Sequence, residues 1–145
     1  MNAKVLSPSI VGQAEKAHGA VLRKVLAGTG LDEQQWITLQ LALGPGAPIR
    51  RDDLVRRVSA AAKFDPADIG RAITGLIRGS LLDQAADDQL AVTTPGRELV
   101  SSLRERIGGL IAGAYGSVPQ EDLATAARVL TTITARLSED LSLSS

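Results

Sequence analysis

The sequence predicts a mainly α fold in which three short helices and a small β-hairpin lie between longer terminal helices. Three observations predict it. Apolar residues recur at three- and four-residue spacing along most of the chain. Helix starts and stops are marked by cap–proline pairs and glycine clusters. Only one segment, between Leu81-Leu82 and Leu90-Ala91-Val92, reads as a short two-stranded hairpin around a polar stretch.

Ser7-Pro8 opens the first helix: the hydroxyl caps free N–H groups, and the proline's missing N–H costs nothing there. Val11, Ala14, His18, Val21 or Leu22, and Val25 form its apolar face, and Gly28-Thr29-Gly30 stops it. Asp32 with Gln35 three residues on reads as a capping box, with Leu31 placed to staple onto Trp36. This second helix runs to Leu43 and stops at Gly44-Pro45-Gly46. A third follows Pro48, with Leu54, Val55 and Val58 inward and Arg50, Arg51, Arg56 and Arg57 outward. Asp65-Pro66 opens the fourth, whose inner face is Ile69, Ala72, Ile73 and Leu76; Ala67, Asp68, Arg71, Thr74, Gly75 and Arg78 then face out. Thr93-Thr94-Pro95-Gly96 starts a long fifth helix, and a sixth carries Leu123, Ala127, Leu130 and Leu137. At about 1.5 Å per residue the last two each span roughly 30 Å, more than a small core covers, so their spare apolar faces predict a homodimer.

Composition removes several functions. Lys+Arg and Asp+Glu are 16 each, so no bulk charge favours RNA coating or membrane adsorption. One Trp, one Tyr and one Phe cannot make a stacking platform for single strands. Without cysteine there is no disulfide, thiolate chemistry or cysteine redox sensor, and one histidine gives little for a metal site or a catalytic triad. No phosphate loop, nucleophile elbow or zinc-protease motif occurs, so no enzyme, cofactor or metal is expected. No apolar run is long enough to span a bilayer, and the first residues lack the apolar core of a signal peptide; a cytoplasmic chain is expected.

Charge is uneven by segment. Residues 50–78 hold seven basic and four acidic side chains, while residues 79–94 hold three acidic ones and no basic one. Three helices followed by a hairpin is the order of a winged helix-turn-helix, which places Arg50, Arg51, Arg56, Arg57, Lys63, Arg71 and Arg78 for contact with the phosphates of double-stranded DNA. On the fourth helix, arginine suits guanine O6 and N7, and Thr74 suits a base edge or a thymine methyl. The plainer alternative is a solvated face paired locally with Asp52, Asp53 and Asp68.

The residues in this order resemble the MarR family of bacterial transcriptional regulators over nearly the whole chain. The resemblance rests on Leu31-Asp32-Glu33-Gln34-Gln35-Trp36-Ile37-Thr38-Leu39 for the second helix and Asp53-Leu54-Val55-Arg56-Arg57-Val58 for the third. Ile69-Gly70-Arg71-Ala72-Ile73-Thr74-Gly75-Leu76 with Gly79-Ser80-Leu81-Leu82 is similar to the family's recognition helix and its exit. Leu90-Ala91-Val92-Thr93-Thr94-Pro95-Gly96-Arg97-Glu98-Leu99 is similar to the passage from wing to fifth helix. The resemblance implies one domain over residues 1–145, with a winged core at about 31–94 and dimerisation helices at about 7–28 and 95–138. It implies a homodimeric, DNA-binding regulator responsive to a small molecule, with DNA contacts at Arg50, Arg51, Arg71, Thr74 and Arg78. Effectors in this family are often held between the first, second and fifth helices, which makes His18, Trp36 and Arg104 the expected ligand contacts; core or solvated roles are the alternative for each. One departure stands out. Family wings are longer and basic, with Asp-x-Arg near the tip, whereas residues 83–89 here contain no arginine. A chain of this scaffold that binds or transforms a ligand without DNA, or that antagonises a relative by heterodimerising, is therefore the alternative function.

Overall fold

The structure, a computed structural model, describes residues 4–44 and 47–144, and divides into two compact units, Met1–Ile107 and Gly108–Ser145. The described elements run α1 (Pro8–Leu26), α2 (Glu33–Ala42), β1 (Ile49–Arg50), α3 (Arg51–Ala62), α4 (Pro66–Arg78), β2 (Leu82–Gln84), β3 (Gln89–Val92), α5 (Thr94–Tyr115) and α6 (Gln120–Ser144).

The expected caps form. The Ser7 hydroxyl accepts from Ile10 N–H at 3.4 Å. Asp32 accepts from Gln35 N–H at 2.8 Å while the Gln35 amide oxygen accepts from Asp32 N–H at 3.0 Å, closing the capping box. Asp65 accepts from Ala67 N–H at 3.0 Å, with Pro66 in the first helical position. The Thr93 hydroxyl accepts from Gly96 N–H at 3.1 Å and donates to the Ser80 carbonyl at 2.7 Å, so it holds both the start of α5 and the exit of α4. Each satisfies backbone groups that a helix end leaves without partners. Of the stop expected at Gly44-Pro45-Gly46, Pro45 and Gly46 lie outside the described residues; Gly44 N–H donates to the Leu41 carbonyl at 3.2 Å.

The sheet corrects one expectation. Among the described residues there are three strands instead of two, in antiparallel order β1-β3-β2, with Ile49 opposite Leu90 and Leu82 opposite Val92. Two residues are too few for any alternation to show in a sequence, so the stretch after Pro48 reads as the start of the third helix, with Arg50 on its outer face. Ile49 is buried opposite Leu90 of β3.

Leu39, Leu54, Val58, Ile69, Ile73, Leu76 and Leu90 are fully enclosed, and Val25 and Leu26 from α1 with Val100 and Leu103 from α5 join the same core. Thr38 is equally enclosed, and its hydroxyl has no hydrogen-bond partner among the described residues. A Cβ on Gly96 would overlap the Leu81 carbonyl oxygen, and one on Gly116 would lie 2.8 Å from the Ala112 carbonyl oxygen, both backbone atoms; one on Gly75 would lie 2.6 Å from the Gln35 amide nitrogen, the movable end of a side chain.

In the second unit, α5 ends in a turn closed by Gly116 N–H to the Ala112 carbonyl at 2.8 Å and the Ser117 hydroxyl to Ala114 at 2.6 Å. Along α6, Leu130, Ile133, Leu137 and Leu141 recur on one side and are all exposed.

Candidate nucleic-acid interface

The helix-turn-helix is assembled by local chemistry. Lys63, in the left-handed region at φ 61°, ends α3 with its N–H on the Ser59 carbonyl at 3.0 Å. The Ser59 hydroxyl donates to the Phe64 carbonyl at 3.4 Å, and Asp65-Pro66 then starts α4. Ile69, Ala72, Ile73 and Leu76 bury the inner face of α4. Arg71 and Arg78 are left exposed on the other side.

The seven cations of this segment divide into three groups. Arg51 and Arg57 turn inward: Arg51 Nη2 donates to the Gly70 carbonyl at 3.2 Å and to Thr74 Oγ1 at 3.1 Å, and Arg57 Nη1 donates to the Leu41 carbonyl at 3.1 Å. Arg57 thus neutralises the carbonyl end of α2, where the helix dipole is negative. Arg56 and Arg71 pair with Asp53 and Asp68, each three residues earlier on its own helix. The Arg71 side chain remains 72% exposed, so this pair is worth little and is easily exchanged for another acceptor. Arg50, Lys63 and Arg78 have no ion pair or side-chain hydrogen bond among the described residues.

Two placements differ from the sequence expectation. Arg51 and Arg57, expected on the outer face of α3, are half-buried and bonded across to α4 and α2. Thr74 and Gly75, expected on the outer face of α4, are half-buried as well. A helical wheel registers only the inner face of one helix; it does not see that the Gln35 side chain lies over Gly75 and that α3 reaches Thr74. Gly75 lies beneath the Gln35 side chain of α2. The x-x-Gln spacing after Asp32 was the available signal, since a side chain folded back to cap its own helix leaves its amide free to cover a neighbour.

The wing is short and folds onto itself. Gln84 Nε2 donates to Asp88 Oδ1 at 2.8 Å, Ala85 N–H donates to the Gln89 carbonyl at 2.8 Å, and Asp87 and Asp88 both take left-handed backbone conformations. Asp83, Asp87 and Asp88 are exposed. The nearest arginines in sequence stand outside the hairpin, and Arg97 is occupied at the Val92 carbonyl, 3.2 Å away.

The three expected ligand contacts are not gathered in one cleft. His18 is exposed on α1, with Nδ1 2.7 Å from the Ala14 carbonyl, and borders an open cleft of about 460 Å³ with Glu15, Lys16, Leu22, Arg23 and Glu33. Trp36 is 3% exposed and belongs to the core. Arg104 is exposed on α5 and does not line that cleft; its neighbour Arg106 donates to the Val25 carbonyl at 3.4 Å. Among the described residues no group of three His, Cys, Asp or Glu side chains is placed to hold a metal ion, and no helix is long and apolar enough to cross a membrane.

No family model matches this sequence, and no curated protein matches it; solved structures do. A MarR-family transcriptional regulator from Rhodococcus sp. RHA1 superposes with a TM-score of 0.70 at 21% identity, over 90% of this chain and 96% of that one. The chain has the MarR-type winged-helix fold. CouR from Rhodococcus jostii RHA1, solved bound to p-coumaroyl-CoA, matches with a TM-score of 0.72 at 21% identity, over 90% of this chain and 95% of CouR. BpsR of Bordetella bronchiseptica, whose DNA binding is regulated by 6-hydroxynicotinic acid, matches with a TM-score of 0.70 at 17% identity, over 92% and 96%.

Proposed function

We propose that this chain is a DNA-binding transcriptional regulator, not an enzyme, that works as a cytoplasmic homodimer and answers to a small molecule. The observation that carries the reading is α4: a capped helix with a buried apolar face and Arg71 and Arg78 exposed on the opposite side. Arg71 is the base-reading residue, with Arg50 and Arg78 on phosphates; Thr74 contributes by its bond to Arg51 more than by reading a base. The effector is a small molecule. Its site is the cleft at His18, where Lys16 and Arg23 stand beside Glu15 and Glu33; Arg104, on α5, does not line that cleft. Trp36 acts on that site only through packing, since it is enclosed.

The test is a binding isotherm on duplex DNA from upstream of the chain's own gene, at several ionic strengths. Arg71→Ala should weaken binding by about 1–3 kcal/mol and relax sequence preference at one position. No binding by the wild type at low salt would overturn the reading. The exposed carboxylates of the wing favour a second one, a ligand-binding or heterodimerising member of the scaffold without DNA affinity, and that outcome would put it first.

A further inference from the structure

We propose that Arg51 is a positioning residue: it ties the sheet to the middle of α4 and so sets how α4 is presented, and it makes no phosphate contact. The functional consequence rests on the DNA-binding reading above; the tie itself does not. Arg51 is the first residue of α3 and follows β1 directly, and β1 pairs with β3 of the wing through Ile49–Leu90 and Arg50–Gln89. From that joint its Nη2 reaches Gly70 O at 3.2 Å and Thr74 Oγ1 at 3.1 Å. Thr74 Oγ1 in turn donates to the same Gly70 carbonyl at 3.1 Å. The guanidinium, the hydroxyl and the carbonyl therefore close a triangle on one turn of α4.

The choice of partners argues for this role. Asp52 and Asp53 follow Arg51 on α3, one and two positions on, where side chains of a helix do not face each other, so neither carboxylate competes for its guanidinium. Arg51 has no ion pair among the described residues, and Asp53 holds Arg56. Half-buried, Arg51 instead gives its donors to neutral acceptors on another helix. Hydrogen bonds from a charged donor are stronger than neutral ones, so two of them outweigh an exposed surface pair. A side chain that spans from the wing's sheet to the reading helix couples the two elements that would meet DNA.

The experiment uses the full chain and three variants: Arg51→Met, which keeps the stem and loses every donor, Thr74→Val, and the two combined. Hydrogen exchange over residues 66–78 is measured without DNA. Competition binding is then measured between a duplex selected by the wild type from a random library and a scrambled duplex, across salt. Exchange in α4 should speed up by roughly tenfold in each single variant, and discrimination should fall by a similar factor. The double variant should be no worse than either single one, and the salt slope should stay at the wild-type value. A slope reduced by about 0.9 with discrimination intact would identify a phosphate contact and overturn the proposal. Unchanged exchange in α4 would also overturn it. If Arg51→Met does not fold, Arg51→Lys decides: a phosphate contact survives that change, whereas the tie loses its fork geometry and discrimination falls. If the wild type selects no duplex, the DNA-binding reading fails, and the exchange measurement alone upholds or removes the tie.

Discussion

Gly96→Ala tests whether the start of α5 is packed against the wing as closely as the structure places it. The new Cβ would overlap the Leu81 carbonyl oxygen and lie 2.8 Å from Val92 Cγ1. Neither can give way easily. The Leu81 carbonyl accepts from Thr93 N–H at 3.1 Å, Leu81 N–H donates to Leu76 at 3.0 Å, and Val92 is a buried strand residue opposite Leu82. Relieving the overlap means moving the wing's base away from α5, an overpacking cost of about 1–3 kcal/mol or somewhat more, because backbone is involved. Alanine recovers at most about 1 kcal/mol of helix propensity. The expected net loss is about 1–2 kcal/mol, or roughly 5–10 °C in Tm for a unit of this size. Gly70→Ala is the control: its Cβ meets nothing within 4 Å, so it should gain about 0.5–1 kcal/mol from the same propensity term. Both are read by urea titration followed by circular dichroism, at one fixed chain concentration because association adds to apparent stability. A Gly96→Ala chain as stable as the wild type would refute the packing argument, and a destabilised Gly70→Ala would show that the control position is not open.

Thr38→Val removes a fully enclosed hydroxyl that has no partner and keeps the side chain's shape, so it should stabilise the chain by about 1 kcal/mol in the same titration; a loss of that size would mean the hydroxyl is bonded after all. Replacing Asp87 and Asp88 by Asn should tighten DNA binding several-fold at low salt, and by far less near 0.15 M, where screening acts within about 8 Å; equal affinity at low salt would place the wing away from DNA. Light scattering at micromolar concentration should give a dimer, and Ile133→Glu with Leu137→Glu should give a folded monomer, since both side chains are exposed on one side of α6; a helical wild-type monomer would end the dimer reading.

What the sequence made legible is what depends on near neighbours. Caps at Ser7, Asp32 and Asp65 need only residues two or three positions away, and all three form as read. The inner face of α4 follows from period alone. What it hid depends on contacts between distant segments. β1 exists because Ile49 meets Leu90, 41 positions on, and two residues carry no pattern of their own. The inward turn of Arg51 and Arg57 is decided by acceptors 19 and 16 positions away, and an arginine's side chain reads the same in sequence whether it faces water or a carbonyl. Gly96 marks the limit: the sequence shows a glycine at the start of α5, and only the Leu81 carbonyl lying against it explains the missing side chain.

On the proposed DNA-binding function, the division of cations sets the salt dependence. Arg50, Lys63 and Arg78 are available, and Arg71 becomes so by leaving Asp68, while the wing offers only carboxylates. Arg50, Lys63 and Arg78 make three phosphate contacts per protomer, and Arg71 a fourth if it meets a phosphate instead of a base; twice that in a dimer gives a slope of about −5 to −7 in log K against log salt. Between 50 and 200 mM salt, affinity should then fall by roughly 10³–10⁴. Were Arg51 and Arg57 also on phosphates, the dimer slope would steepen by about 3 to 4. A slope near −6 therefore matches the inward placement of those two arginines. One near −10 would require them to leave their carbonyls on binding, and α4 would lose its tie to the sheet at the moment it reads a base.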